Sequence, residues 1–300
     1  MPCEADNIPM PRLILAPLRG VTIRAFRTVF AQQIAEAGFD EAITPFIAAE
    51  HGLNPLKDRE LLGTDPGACA IRITPQLIGK DPAALRESLL RLKGAGFETV
   101  DLNCGCPFPM VRNKGRGSGI LRTPDVLAKM LDVGCETMGE GRFSIKARLG
   151  IEKTDELLRL MPMVNGYPLR FLTVHARTAK QMYEGPCDWD AYRRVVDSAR
   201  MSVVPNGDLP VSEEDGIFGE RPATRMVGRP FVRSLGMRPD AVELLERYIA
   251  HSLEELKSER PVLGRMKELV AYWREIPRWR RRWDIAKLAR SLDEFRFAIA

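Results

Sequence analysis

Two thiols, an amide and a carboxylate crowd into Val100-Asp101-Leu102-Asn103-Cys104-Gly105-Cys106-Pro107, an apolar strand that runs into a tight corner. Gly105 lets the backbone turn and approach a ligand, and Pro107 fixes φ and ends the strand. Cys106 is therefore held at the carboxyl end of a strand, the edge on which α/β enzymes assemble their ligand crevices. A stiff corner of this kind positions a reacting atom. Metal chemistry matches poorly: the three histidines, His51, His175 and His251, are scattered, no Cys-x-x-Cys occurs, and no metal site is expected. Lys114-Gly115-Arg116-Gly117-Ser118-Gly119 lacks the ending of a phosphate-cradling P-loop and follows no strand, so it reads as a mobile loop beside Cys106 and a candidate lid.

Polar residues gather at the other strand ends too. After the first strand come Ala16-Pro17-Leu18-Arg19-Gly20; the third carries Gln76, the fourth Asn103 and Cys106, and the fifth Lys146 and Arg148. The sixth ends in His175-Ala176-Arg177-Thr178, the seventh in Asn206-Gly207-Asp208 and the eighth in Gly228-Arg229. The carboxylate pair of a glycosidase is missing. Taken singly, a Gln or Lys in a strand is commonly a satisfied polar group, and His175 a structural histidine. Taken together they suit a flat, hydrogen-bonding, anionic ligand, and flavin mononucleotide (FMN) matches. Gln76 would meet the isoalloxazine edge and Lys146 would place positive charge near ring positions that become anionic on reduction. The last two loops, with Gly207, Gly228 and Arg229, would hold the phosphate.

Such a set needs a scaffold that brings eight strand ends to one rim. The strand candidates are Leu13–Pro17, Glu41–Pro45, Ala70–Ile78, Thr99–Asn103, Phe143–Arg148, Phe171–His175, Val203–Asn206 and Thr224–Gly228. Helical stretches lie between them, among them Thr22–Ala37, Asp81–Ala95, Thr123–Met138, Thr154–Val164 and Asp188–Ala199. Asp81-Pro82 and Thr123-Pro124 have the form of helix starts, a capping residue before a proline. This alternation predicts a (β/α)8 TIM barrel over residues 1–238, with a doubly wound open sheet as the alternative. Beyond Pro239 the strand signals stop, and Ala241–Lys257, Val262–Trp273 and Trp283–Ala298 predict a small C-terminal helical domain over 239–300.

The charge is distributed unevenly. The chain has 300 residues and a net charge of +5, and residues 261–300 hold ten Lys and Arg against five Asp and Glu, so the excess sits in the tail. A basic end suggests a polyanionic partner, and a solvated helical face is the ordinary alternative. Trp273, Trp279 and Trp283 in the same tail are read as packing rather than as base-stacking platforms. Six cysteines are too few for a disulfide scaffold, Met1–Arg12 has no signal-peptide pattern, and no apolar run approaches a membrane span. A cytoplasmic protein with reduced thiols is expected.

The ordered segments resemble the tRNA-dihydrouridine synthases, flavoenzymes that reduce the C5–C6 double bond of particular uridines. The residues that carry the resemblance are Leu15-Ala16-Pro17 with Gly20-Val21-Thr22, Gln76-Leu77-Ile78-Gly79, Asp101 to Pro107, and Lys146-Ala147-Arg148-Leu149-Gly150. Val174 to Thr178, Asp188-Trp189, Asn206-Gly207-Asp208 and Met226-Val227-Gly228-Arg229 complete it. The resemblance implies a barrel holding FMN, NADPH as electron donor, a tRNA-gripping helical domain and a monomer. It implies hydride delivery to C6 of the uracil and proton delivery to C5 by the Cys106 thiol, with Cys104 packed away. For the cofactor it implies Ala16, Pro17, Leu18, Gln76, Lys146, His175, Asn206, Gly207, Asp208, Gly228 and Arg229. For the uridine and tRNA it implies Asn103, Arg148 and Arg177, joined in the tail by Arg265, Lys267, Tyr272 and Arg290. The Cys-Gly-Cys form and the tail are similar to the C-type branch, which modifies position 16 of the D-loop. Two other readings stay open: an FMN barrel reducing a small molecule, and a flavin-free tRNA-binding protein.

Overall fold

The computed structural model describes residues 9–10, 12–64, 70–211 and 224–300. Cys3, Cys69 and most of the first twelve residues, on which the thiol and signal-peptide expectations partly rest, lie outside the described residues.

The strands are short apolar runs buried on both faces, the pattern of a parallel sheet covered by helices. In chain order they are β1 (Leu13–Leu15), β2 (Glu41–Ile43), β3 (Ile47–Ala48), β4 (Arg72–Thr74), β5 (Gln76–Ile78), β6 (Val100–Cys104), β7 (Phe143–Gly150), β8 (Leu172–Thr178), β9 (Val203–Asn206) and β10 (Arg225–Val227). All pairings are parallel, and β10 pairs with β1. Strands β2 and β3 are two segments of one strand interrupted at Thr44–Phe46, and β4 and β5 are two segments interrupted at Pro75, which lacks an N–H for the ladder. Because β2 pairs with β4 and β3 with β5, the sheet closes into an eight-strand barrel. An open doubly wound sheet is ruled out by that closure.

Helices α1 (Arg24–Val29) and α2 (Ala31–Glu36) replace the single predicted helix over Thr22–Ala37, and the break falls at Phe30. Its buried ring packs 4.5 Å from Phe26 and 5.4 Å from Tyr248. The outer layer continues with α3 (Pro82–Gly94), the short α4 (Pro109–Arg112), α5 (Pro124–Met138), α6 (Glu156–Val164), α7 (Trp189–Ser198) and α8 (Arg229–Leu235). Asp81 caps α3 as the sequence predicts, accepting from the N–H groups of Ala83 and Ala84. Thr123 does not cap α5; its hydroxyl donates backwards to the Ile120 carbonyl.

Four helices follow: α9 (Ala241–Leu256), α10 (Glu259–Ala271), α11 (Pro277–Ala286) and α12 (Leu292–Ile299). The predicted helix Trp283–Ala298 is therefore two helices. The Lys267 ammonium donates to the carbonyls of Lys287 and Ala289, and Ser291 caps α12 through the Glu294 N–H. Both Trp273 and Trp279 are fully buried, and their indole N–H groups donate to the carbonyls of Val232 and Gly236 at the end of α8. Side chains of α9, α10 and α12 belong to the same buried apolar cluster as the barrel helices, so the tail has no separate core. No helix among the described residues is long and apolar enough to cross a membrane.

Candidate active site

Strand register stacks the polar residues in rows at the carboxyl-terminal end of the barrel. Gln76, Asp101 and Ser144 are aligned across β5, β6 and β7; Asn103, Lys146 and Thr173 across β6 to β8; Arg148, His175 and Asn206 across β7 to β9. Alternation along each strand turns all three rows inward. Their upper members line a cleft with about 750 Å³ of space, open solvent included. Ala16, Pro17, Leu18, Gln76, Asn103, Cys106, Lys146, Arg148, His175, Asn206, Gly207, Gly228 and Arg229 all line it.

The corner after β6 is fixed from both sides. Asn103 Oδ1 accepts from the N–H groups of Gly105 (3.1 Å) and Cys106 (2.8 Å), an Asx-type turn. The Cys106 carbonyl accepts from the Ser118 N–H and hydroxyl. Gly117 has φ of +56° and lies so close that a side chain there would meet the Cys106 Cβ at 2.7 Å. The expected lid over Lys114–Gly119 is thus corrected: Gly117–Arg122 is a buried 3-10 turn that clamps Cys106 from behind. Burial raises the Cys106 thiol above its ordinary pKa, against weaker lowering by the Phe108 N–H, Arg19, Arg148 and Lys146, so the thiol keeps its proton at neutral pH. Cys104 is fully buried on the opposite side of the strand, in the core.

The cleft is electropositive. Arg19, Lys146, Arg148 and Arg229 line it, and no carboxylate does among the described residues. Burial, then repulsion from Arg148, pushes the Lys146 ammonium down to about 7, and its Nζ donates to Asn206 Oδ1 at 2.8 Å. His175 falls well below its ordinary value through burial and the cations Arg148, Lys146, Arg177 and Arg229. Arg177 can only donate, so its 3.2 Å contact to His175 Nε2 fixes that nitrogen as the acceptor of a neutral ring.

At the far end, Gly228 lies against Ala16 and Leu18, where a side chain would meet the Ala16 Cβ at 3.1 Å. Gly207 is more tightly enclosed, and a side chain there would meet the Cys187 sulfur at 2.6 Å and the Trp189 ring at 3.2 Å. Both glycines line the cleft, and neither position has room for a side chain. Asp208, expected among the cofactor contacts, does not line the cleft; its carboxylate bridges Arg177 (2.5 Å) and Arg229. Arg177 is likewise outside the lining, since it also donates twice to the Gly185 carbonyl. It anchors the loop that carries Tyr183.

Tyr183 is a site residue the sequence gives no sign of. Met182 has φ of +54°, rare for a residue with a side chain, and the turn sets the Tyr183 ring 5.1 Å from the Arg148 guanidinium and 5.4 Å from that of Arg229. Tyr183, Phe108, Leu18, Arg19 and Arg229 line both the cleft and a wider groove, about 1820 Å³, between the barrel and α10. Of the four tail residues implied for RNA, Tyr272 lines this groove. Arg265 is instead tied to Glu255 (2.7 Å) and Ser252, Lys267 caps the end of α11, and Arg290 is exposed outside the groove. Arg233 and Arg274 join Arg19 and Arg229 as basic groups of the groove, with Glu268 and Glu275 beside them and Glu275 paired with Arg233 at 3.0 Å.

Both the sequence and the fold have known counterparts. The profile of the family described as "Dihydrouridine synthase (Dus)" matches residues 14–216. A tRNA-dihydrouridine(16) synthase of Ralstonia nicotianae is 30% identical over 206 residues, covering 67% of this chain and 62% of that protein, so the match spans about three fifths of the relative's length. A probable tRNA-dihydrouridine synthase of Staphylococcus aureus is 28% identical over 288 residues, covering 90% of this chain and 85% of its own. Among solved structures, morphinone reductase in complex with tetrahydroNAD superposes with a TM-score of 0.51 at 14% identity, over 74% of this chain and 84% of that one. The old yellow enzyme homologue of Zymomonas mobilis gives 0.54 at 12%, over 74% and 85%. At that identity the likeness concerns the barrel fold.

Proposed function

Because the chain belongs to the dihydrouridine synthase family, we propose that it reduces a uridine of tRNA to 5,6-dihydrouridine, using FMN, NADPH as electron donor and position 16 of the D-loop as its target. The single observation that carries this reading is a thiol, Cys106, held in its protonated form by burial on the wall of a cleft lined by Arg19, Lys146, Arg148 and Arg229 and, among the described residues, by no carboxylate. That donor set fits a flavin mononucleotide. Gln76, Lys146 and Asn103 offer hydrogen bonds to its ring system, and Gly207, Gly228 and Arg229 leave backbone and charge for its phosphate. When bound, the flavin supplies hydride for C6 of the uracil.

This chain's own residues do the rest. The Cys106 thiol gives its proton to C5, and burial favours the protonated form that a general acid must have. Arg148, beside the thiol and held by the carbonyls of Gly105 and Thr178, offers charge to the uracil edge, and neutral His175 offers a hydrogen bond. Residues 239–300 serve as the tRNA-binding part, presenting Tyr272 and Arg274 along the groove that leads to the cleft, which Arg233 of α8 also lines. A base must leave its stack to enter, so the grip on the surrounding phosphates supplies orientation as well as affinity. The likeness to the Ralstonia relative supports position 16. We take the protein to act as a cytoplasmic monomer.

Two measurements test the reading. Purified protein is expected to carry the visible absorbance of bound flavin, and tRNA from cells lacking the gene is expected to lose dihydrouridine at one D-loop position. A colourless protein and an unchanged dihydrouridine map would overturn it.

A further inference from the structure

One buried ionisable group takes no part in that chemistry. Asp101 is fully buried directly beneath the cleft and does not line it. Its Oδ1 accepts from the Ser144 hydroxyl and its Oδ2 from Gln76 Nε2, both at 2.7 Å. Gln76 Oε1 accepts from Asn103 Nδ2, also at 2.7 Å, and Asn103 Oδ1 accepts from the N–H groups of Gly105 and Cys106. The chain of contacts therefore runs unbroken from Asp101 to the corner that carries the thiol.

An amide side chain can point either way, and here its direction is dictated at both ends. Backbone N–H groups only donate, so Asn103 must turn its oxygen to the corner and its NH2 towards Gln76. Gln76 must then accept on that side and donate on the other. The donation needs an acceptor, and a carboxylate supplies one at every lone pair. We propose that Asp101 is a positioning residue that fixes the orientation of the Gln76 and Asn103 amides, and through them the placement of Cys106. The proposal rests on the reading of Cys106 as the proton donor. Burial raises Asp101 to about 6, against lowering by Ser144, Gln76 and Lys146, which leaves the carboxylate as the favoured form at neutral pH.

Exchanging the two groups tests this without flavin or tRNA. Gln76→Glu sets two acceptors face to face, whereas Asp101→Asn with Gln76→Glu restores the order of donors and acceptors: the new amide at position 101 donates to the new carboxylate at position 76 and accepts from Ser144. The readout is the rate at which iodoacetamide alkylates Cys106 at about pH 8, mapped by mass spectrometry, in the flavin-free full-length protein. Q76E is expected to speed alkylation about tenfold or more by freeing the corner, D101N to stay within about fivefold of the natural protein, and the double variant to return most of the way. Dihydrouridine kcat is expected to fall in Q76E and to stay within about fivefold of the natural value in D101N, with KM for tRNA steady. Wild-type alkylation in Q76E, or a double variant no slower than Q76E, overturns the proposal. If the alkylation pattern holds while no variant, nor the natural protein, makes dihydrouridine, the relay stands and the proposed reaction fails.

Discussion

The two ends of the barrel treat buried charge in opposite ways. At the amino-terminal end Glu41 and Arg170 pair at 2.9 Å, both fully buried, with Thr74 and the Pro9 carbonyl taking up further valences. At the carboxyl-terminal end Lys146, Arg148 and Arg229 share a cleft that no carboxylate lines among the described residues. One end is neutralised internally and holds the strands in place. The other holds more cation than its bridging carboxylate, Asp208, neutralises, and such incomplete neutralisation marks where a ligand belongs.

The largest expected effect separates chemistry from charge. Cys106→Ala should lower the rate of dihydrouridine formation by ~10² to 10⁴ while flavin stays bound, measured by single-turnover assay and absorbance. Loss of flavin in that variant would mean the thiol, not the cations, organises the cleft. Next, Glu41→Leu should destabilise the fold by about 3–5 kcal/mol in urea melts, since it strands a buried guanidinium, and Glu41→Leu with Arg170→Leu should recover much of that loss. Lys146→Met, at the other end, is expected to leave the melting point nearly unchanged and weaken FMN binding by about 10- to 100-fold, read by fluorescence titration.

The pH dependence sharpens the contrast. Without an anion Lys146 loses its proton as pH rises through about 7. The anionic ring of reduced flavin beside it restores the charge, so binding of reduced FMN takes up a proton there, and its Kd should rise with pH above that point by at most about tenfold per unit. Calorimetry in buffers of different ionisation enthalpy would detect the uptake; a pH-independent Kd removes Lys146 from the cofactor's surroundings. The smallest effect falls in the tail: Arg265→Ala should cost about 1–2 kcal/mol of stability through its lost contacts to Glu255 and Ser252, with the salt dependence of tRNA binding unaltered.

The barrel was legible because each strand is a short apolar run between turn residues, and because Gln76, Asn103, Lys146 and His175 stand at fixed offsets from those runs. Side chains whose position depends on a loop were not legible. Tyr183 reaches the cleft through a left-handed Met182 and an anchor at Arg177, neither of which leaves a periodic trace. Basic residues of the tail were legible as charge but not as partners: Arg265 and Lys267 face acceptors inside the lobe, while Arg274 faces the groove. The split of Trp283–Ala298 has a local trace in Ser291 and Glu294, a capping pair at the start of α12, and a tertiary one in the contact from Lys267 to two carbonyls at the end of α11.

The indoles of Trp273 and Trp279, hydrogen-bonded to the end of α8, have a bearing on engineering. Gly236 admits no side chain there, since a Cβ would meet the Trp273 ring at 2.4 Å. A chimera that transplants the last sixty residues from a relative to change which nucleotide is modified must therefore bring a compatible α8 and Gly236 with it. Cutting at the apparent boundary would uncover Phe26 and Phe30 and yield an insoluble barrel rather than one blind to RNA.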